Sequence, residues 1–170
     1  MTSANLKKRY DTKSGQDLEK GLASDLRTCP IPDDEILKNL GLFLSPGALG
    51  RIMFIQFLYE KILKKQGVIA EFGCRYGQNL SLFMALRGIH EPYNRLRKII
   101  GFDTFSGFVE TDQKDNDNKK GDYSVPKSYE KYLIDILSKM EQFSPLSHLK
   151  KIEVVRGDVS HTVPNYIKDN

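Results

Sequence analysis

Apolar residues follow two rhythms along the chain, one of about 3.6 and one of short unbroken runs. "SPGALGRIMFIQFLYEKILKKQG" is the longest apolar stretch, and it predicts a helix. Ser45 can cap it, Pro46 suits its first turn, lysines fill its last turn and Gly67 stops it. Its centre, "IMFIQFLYEKIL", carries Gln56, Glu60 and Lys61 and is too short to span a bilayer, so a buried helix is expected. Residues 77–88 repeat the period through Leu80, Phe83, Met84 and Leu86. "VPKSYEKYLIDILSKMEQF" repeats it through Tyr129, Leu133, Ile136, Leu137 and Met140. "CPIPDDEILKNLGL" predicts a shorter helix, with Pro32 and Asp33 at its start and Gly41 near its end. Another helix begins at Ser160.

Between these helices lie three short β-rich runs, "VIAEF", "KIIGFD" and "KIEVVRGD", each of the length of a buried parallel strand. "EPYN" breaks the chain before the second, and "TDQKDNDNKKGDYS" after it predicts an exposed, mobile loop. Residues 1–28 are polar and lack periodicity, which predicts a flexible arm. Residues 29–66 then form N-terminal helices that pack on the domain, and 67–170 form the domain itself. Strand–helix alternation implies βαβ units and a parallel sheet, with the carboxyl ends of the strands on one edge, where ligands bind in such sheets. Each run ends in an acid: Glu71, Asp103 and Asp158. Three carboxylates on one rim are the main chemical signal of the sequence.

Composition narrows the class without naming it. The chain has 170 residues, 39% hydrophobic and 28% charged, as in an ordinary globular domain. Its net charge of +4 is spread over scattered lysines and arginines, which excludes a dedicated nucleic-acid binder. The N-terminus has no apolar signal core, and no membrane partner is expected. Cys29 and Cys74 have no metal-ligand spacing, so no metal site is assigned and a reducing, cytoplasmic setting is the default. His90, His148 and His161 also lack ligand spacing, and His161 alone lies near a strand's carboxyl end, where a base could be tested.

Two phosphate-binding motifs fail. A dinucleotide fingerprint started at Gly73 meets Arg75 and Gln78 where glycines belong, and no P-loop exists. Glu71 would also repel a phosphate. A cationic or hydroxyl-rich ligand fits better. "EFGCRYG", "GFDTFSGF" and "VVRGDV", in that order and spacing, resemble the first three binding motifs of class I S-adenosylmethionine-dependent methyltransferases. With "GDYSVPKSYEKYL" between them, they are most similar to the macrocin O-methyltransferase-like group, over roughly residues 45–167. Arg75 departs from the middle glycine of the broad pattern, as that group tolerates.

The resemblance implies a Rossmann-like α/β fold, a doubly wound parallel sheet with helices on both faces, of which this chain carries the N-terminal, cofactor-binding half. It implies S-adenosylmethionine as cofactor and a sugar or small natural product as methyl acceptor. Glu71 would face the methionine amino end, and Gly73 and Gly77 would let the backbone approach the ligand. Asp103 would accept the ribose hydroxyls. Asp158, with Gly157 and Val159 beside it, would accept from the adenine amine, and Phe105, next to Thr104, would pack on the adenine face. Cys74, Arg75 and Tyr76 complete the first loop. The plainer alternatives stay open: Asp103 or Asp158 as helix caps, Arg75 and Tyr76 as solvated turn residues, Cys74 as a small buried residue, Phe105 and Phe108 as core or lid.

Members of that group often hold a divalent metal such as Mg through aspartates beyond a fourth strand. No D-x-D pair follows Asp158, so the metal ligands and acceptor pocket would lie on residues outside this chain. No catalytic base is named, and the 170 residues alone are expected to bind the cofactor weakly and to transfer no methyl group. Three parallel strands leave an unpaired edge that a second copy could cover, so a homo-oligomer is compatible. A non-catalytic cofactor-binding or interaction module is the alternative, and a NAD-dependent oxidoreductase with a degenerate fingerprint is a weaker one.

Overall fold

The computed structural model describes residues 13–110 and 118–170. The chain forms two compact units, one ending at Met53 and the other Phe54–Asn170. The first holds α1 (Lys13–Arg27), the short α2 (Asp33–Ile36), a 3₁₀ helix (Leu37–Phe43) and the start of α3 (Pro46–Ile62). Helix α1 lies within the stretch expected to lack periodicity, and none of its residues is buried. Leu18, Leu22 and Leu26 recur every fourth residue and make one apolar stripe on an otherwise polar helix. The part of that arm before Lys13 lies outside the described residues. The cap of α3 is as expected, since the Ala48 N–H donates to Ser45 Oγ at 3.2 Å.

Helix α3 is less buried than its composition predicts. Ile55 and Tyr59 are its buried residues, while Met53 and Phe54 are 62% and 58% exposed. A helix apolar all round still turns only one stripe to its neighbour. Here that stripe meets Leu86 of α4 (Gln78–His90), with Leu82, Phe83 and Ile69 around it.

The second unit continues as β1 (Ile69–Phe72), α4, β2 (Ile99–Asp103), α5 (Tyr129–Glu141), β3 (Ile152–Arg156) and α6 (Val159–Asp169). The strands are parallel in the order β1-β2-β3, with Glu71 opposite Gly101 and Asp103 opposite Arg156. The fold is Rossmann-like. Strand β2 is central and is buried along Ile99–Phe102, because helices cover it from both sides. On one face Leu80 and Met84 of α4 and Leu133 and Leu137 of α5 pack with Ile99 and Cys74. On the other face Tyr166 of α6 meets the Phe102 ring edge-on at 5.6 Å. Gly101 sets the depth of α4, since a Cβ there would lie 2.6 Å from a Leu80 methyl. No single helix among the described residues is long and apolar enough to cross a membrane.

Two buried arginines tie the elements together at the edge where the strands begin. Arg87 of α4 donates to the carbonyls of Arg97 and Lys151, which precede β2 and β3, and makes a two-pronged pair with Glu141 at the end of α5. Lys151 pairs with the same carboxylate at 3.3 Å. Arg97 donates to the carbonyls of Ile62, Lys65 and Gly67, closing the C-terminal end of α3. Its guanidinium also binds Glu91, which accepts the Tyr59 hydroxyl at 2.6 Å.

Replacing Arg87 with Met leaves Glu141 buried, with Lys151 as its one remaining charged partner among the described residues. Urea unfolding should show a loss of about 3 kcal/mol, the lower end for a broken buried pair; a loss below about 1 kcal/mol would show that the pair does not hold α4 to α5. At Glu91 burial raises the pKa, but hydrogen bonds from Arg97, Tyr59 and Asn94 outweigh it and hold the carboxyl below its usual 4.5. That contribution is complete above about 4.5 and is lost as pH falls through the lowered value. Acid unfolding of Glu91→Gln should therefore start from a lower stability at neutral pH and depend less on pH below 4.5 than the wild type.

Candidate functional site

Three loops leave the carboxyl ends of the strands and enclose a cavity of about 780 Å³. That is room for a nucleoside-sized ligand. The first loop runs from Gly73 to Gly77. Gly73 lines the cavity in the left-handed region, φ +77°, and a Cβ on it would meet nothing. An open backbone of this kind lets a ligand come close. Gly77 does not share that role. It is also left-handed, but the space where its Cβ would sit is filled by Leu133, so this glycine lets α5 pack on the start of α4.

The second loop follows Asp103. Its carboxylate accepts the Arg75 N–H on Oδ2 and the Phe105 N–H on Oδ1, each at 2.6 Å. One side chain therefore fixes the first loop to the second. Thr104 Oγ1 donates to the Gly107 carbonyl. Phe108 then pairs through its backbone with Gly121 and Asp122, and its ring meets Tyr123 edge-on at 5.3 Å. Gly107 is left-handed, and a Cβ there would strike the Asp122 carbonyl. Within the hydrophilic loop expected at 111–124, Gly121, Asp122 and Tyr123 thus pack on Phe108; residues 111–117 lie outside the described part.

The third loop carries Gly157 and Asp158. Asp158 stands two residues beyond β3 and is the N-cap of α6, accepting from the Ser160 N–H at 2.8 Å and its hydroxyl at 2.7 Å. Those bonds, the hydroxyl's first, hold its carboxyl below the usual range. The capping alternative is therefore realised, and the residue still lines the cavity with Val159 and His161.

Of the three strand-end acids, Asp103 and Asp158 share the cavity, where Glu110 joins them. Glu71 is absent from the lining, and its carboxylate accepts from the Asn79 amide of α4 at 2.7 Å. Side chains alternate across a strand, and Glu71 points to the α4 face. Phe105 is 7% exposed, packs in the core with Cys74 and is absent from the cavity's lining. Tyr76 and Gly77 line a separate shallow groove beside Tyr129. Of the first loop, Gly73 and Arg75 reach the cavity. Tyr123 and Gly107 were missed as wall residues; the one aromatic after a long charged run was the available signal for Tyr123.

No protein-family model and no curated protein sequence matches the chain. Solved structures do. The crystal structure of CalS11, a calicheamicin methyltransferase, matches at 36% identity with a TM-score of 0.91, covering 100% of this chain and 69% of that one. The chain belongs to this methyltransferase family. An apo structure of CalS11, described as a TDP-rhamnose 3′-O-methyltransferase and an enzyme in calicheamicin biosynthesis, matches at 36% identity with a TM-score of 0.81, over 95% of this chain and 63% of that one. The chain thus spans about two thirds of the length of these methyltransferases. Methyltransferase neighbours imply S-adenosylmethionine as the methyl donor.

Cys74 can be set aside as a nucleophile. Burial first, then the charges of Asp103 and Glu71, push its thiol up to about 12. A disulfide reagent at about pH 8 should titrate the half-buried Cys29 quickly and Cys74 only in denaturant. Two equally fast thiols would contradict the packing around Cys74.

Proposed function

We propose that the chain binds S-adenosylmethionine in this cavity and serves methyl transfer to a hydroxyl of a sugar or small natural product. The observation that carries the reading is the pair Asp103 and Asp158 on one cavity, in a chain 36% identical to a sugar O-methyltransferase. Each Asp103 oxygen takes one backbone N–H and keeps a lone pair, so both can accept a ribose hydroxyl. Asp158 and the Val159 backbone accept from and donate to the adenine edge. Gly73 lets the ligand lie against the first loop.

The bound cofactor supplies a methyl group already activated on a sulfonium. The chain's own work is to hold that group in line with the acceptor oxygen and to limit water around it. His161 lines the cavity and is the residue to test as the base that takes the hydroxyl proton. Among the described residues no three His, Cys, Asp or Glu side chains converge as a metal shell requires.

Calorimetry with S-adenosylhomocysteine and with NAD tests the proposal. The homocysteine nucleoside should bind and NAD should not. Asp103→Asn should weaken the nucleoside about 10- to 100-fold, since two hydrogen bonds to a charged acceptor are disturbed. Binding of NAD alone, or binding that ignores this substitution, would overturn the reading.

A further inference from the structure

Among the described residues the Arg75 side chain makes no hydrogen bond or ion pair. Its backbone sits in the left-handed region at φ +47°, where a side chain costs energy and glycine would not. Its main-chain N–H already performs the structural task, binding Asp103. The guanidinium is not needed for that bond. It lies 4.6 Å from the centre of the Tyr76 ring and 5.3 Å from that of Tyr123. Two aromatic faces hold it in place and partly dry it. Its Nε is buried without an acceptor, and no carboxylate pairs with it among the described residues. Both oxygens of the nearby Asp103 are turned to backbone donors instead.

The result is a fixed, fork-shaped set of donors on the wall of a cavity whose other charged walls include Asp103 and Asp158. Hydroxyls and amines suit the acids, whereas an arginine fork suits an oxyanion. A buried donor without an acceptor costs free energy until something supplies one.

We propose that Arg75, clamped between Tyr76 and Tyr123, is the oxyanion receptor of the cavity. This rests on the cofactor reading above. The anion has two sources of the same chemistry: the carboxylate at the amino-acid end of the cofactor, or a phosphate on a nucleotide-linked acceptor. Arg75 then acts in specificity, distinguishing the whole cofactor from its neutral nucleoside fragment, or a phosphorylated acceptor from a free sugar.

The test uses Arg75→Gly, which suits the left-handed backbone, and Arg75→Lys, which keeps the charge without the fork. Calorimetry is run with S-adenosylhomocysteine, with 5′-methylthioadenosine, which lacks the amino-acid end, and with thymidine diphosphate. If the carboxylate is the anion, Arg75→Gly weakens S-adenosylhomocysteine about 10- to 100-fold and leaves methylthioadenosine unchanged. If a phosphate is the anion, the same change weakens thymidine diphosphate and spares both nucleosides. In either case the lysine variant recovers part of the loss. Equal weakening of S-adenosylhomocysteine and methylthioadenosine, with no effect on thymidine diphosphate, would mark a structural role and overturn the proposal. So would the absence of any effect. A wild-type chain that binds neither nucleoside overturns the cofactor reading instead, and the diphosphate arm alone then decides Arg75.

Discussion

The guanidinium of Arg87 is the point on which the α/β unit depends. It is 2% exposed and reaches α5 through Glu141 and the starts of β2 and β3 through two carbonyls. Helix–sheet layers slide easily when only apolar side chains meet, because dispersion has little direction. A buried, hydrogen-bonded ion pair has direction, and removing one partner strands the other. Arg97 does the same for the end of α3, whose carbonyls it collects from a loop about 30 residues later. With the lower edge of the sheet held by these two side chains, the upper edge can be left to loops.

At the upper edge a single carboxylate replaces a second set of ties. Asp103 binds one backbone N–H from each of two loops, and so shapes the cavity before any ligand arrives. Such preorganisation lowers the ordering that binding must otherwise impose. Among the described residues the same arrangement leaves the Arg75 side chain without an acid partner. Arg75 is a small conflict within the fold, a residue in a strained backbone conformation with its charge beside a cavity.

The sheet and its ligand edge were readable because their signals are local. "IIGFD" is short and apolar up to its closing acid, as a strand covered on both faces must be, and it was found within one residue. Leu133 and Leu137, four apart, announced the buried stripe of α5. The site was read less well, since a residue's place beside a turn does not say where its side chain goes. Glu71, one residue before the end of its strand, turned to the α4 face and Asn79, while Phe105 entered the core. Gly77 answered to Leu133, a residue of a distant helix.

Periodicity, glycine spacing and strand-ending acids are properties of neighbouring residues. They sufficed for a parallel sheet, for its ligand-bearing edge and for the methyltransferase resemblance, because backbone geometry makes those features repeat over a few positions. Which carboxylates share the cavity, which arginines are buried ties and which one stands idle between two tyrosines are matters of distance between remote segments. Tyr123 is 48 residues from Arg75 in the chain and beside it in space. Packing and hydrogen-bond satisfaction set those distances, and they act only once the chain has closed on itself.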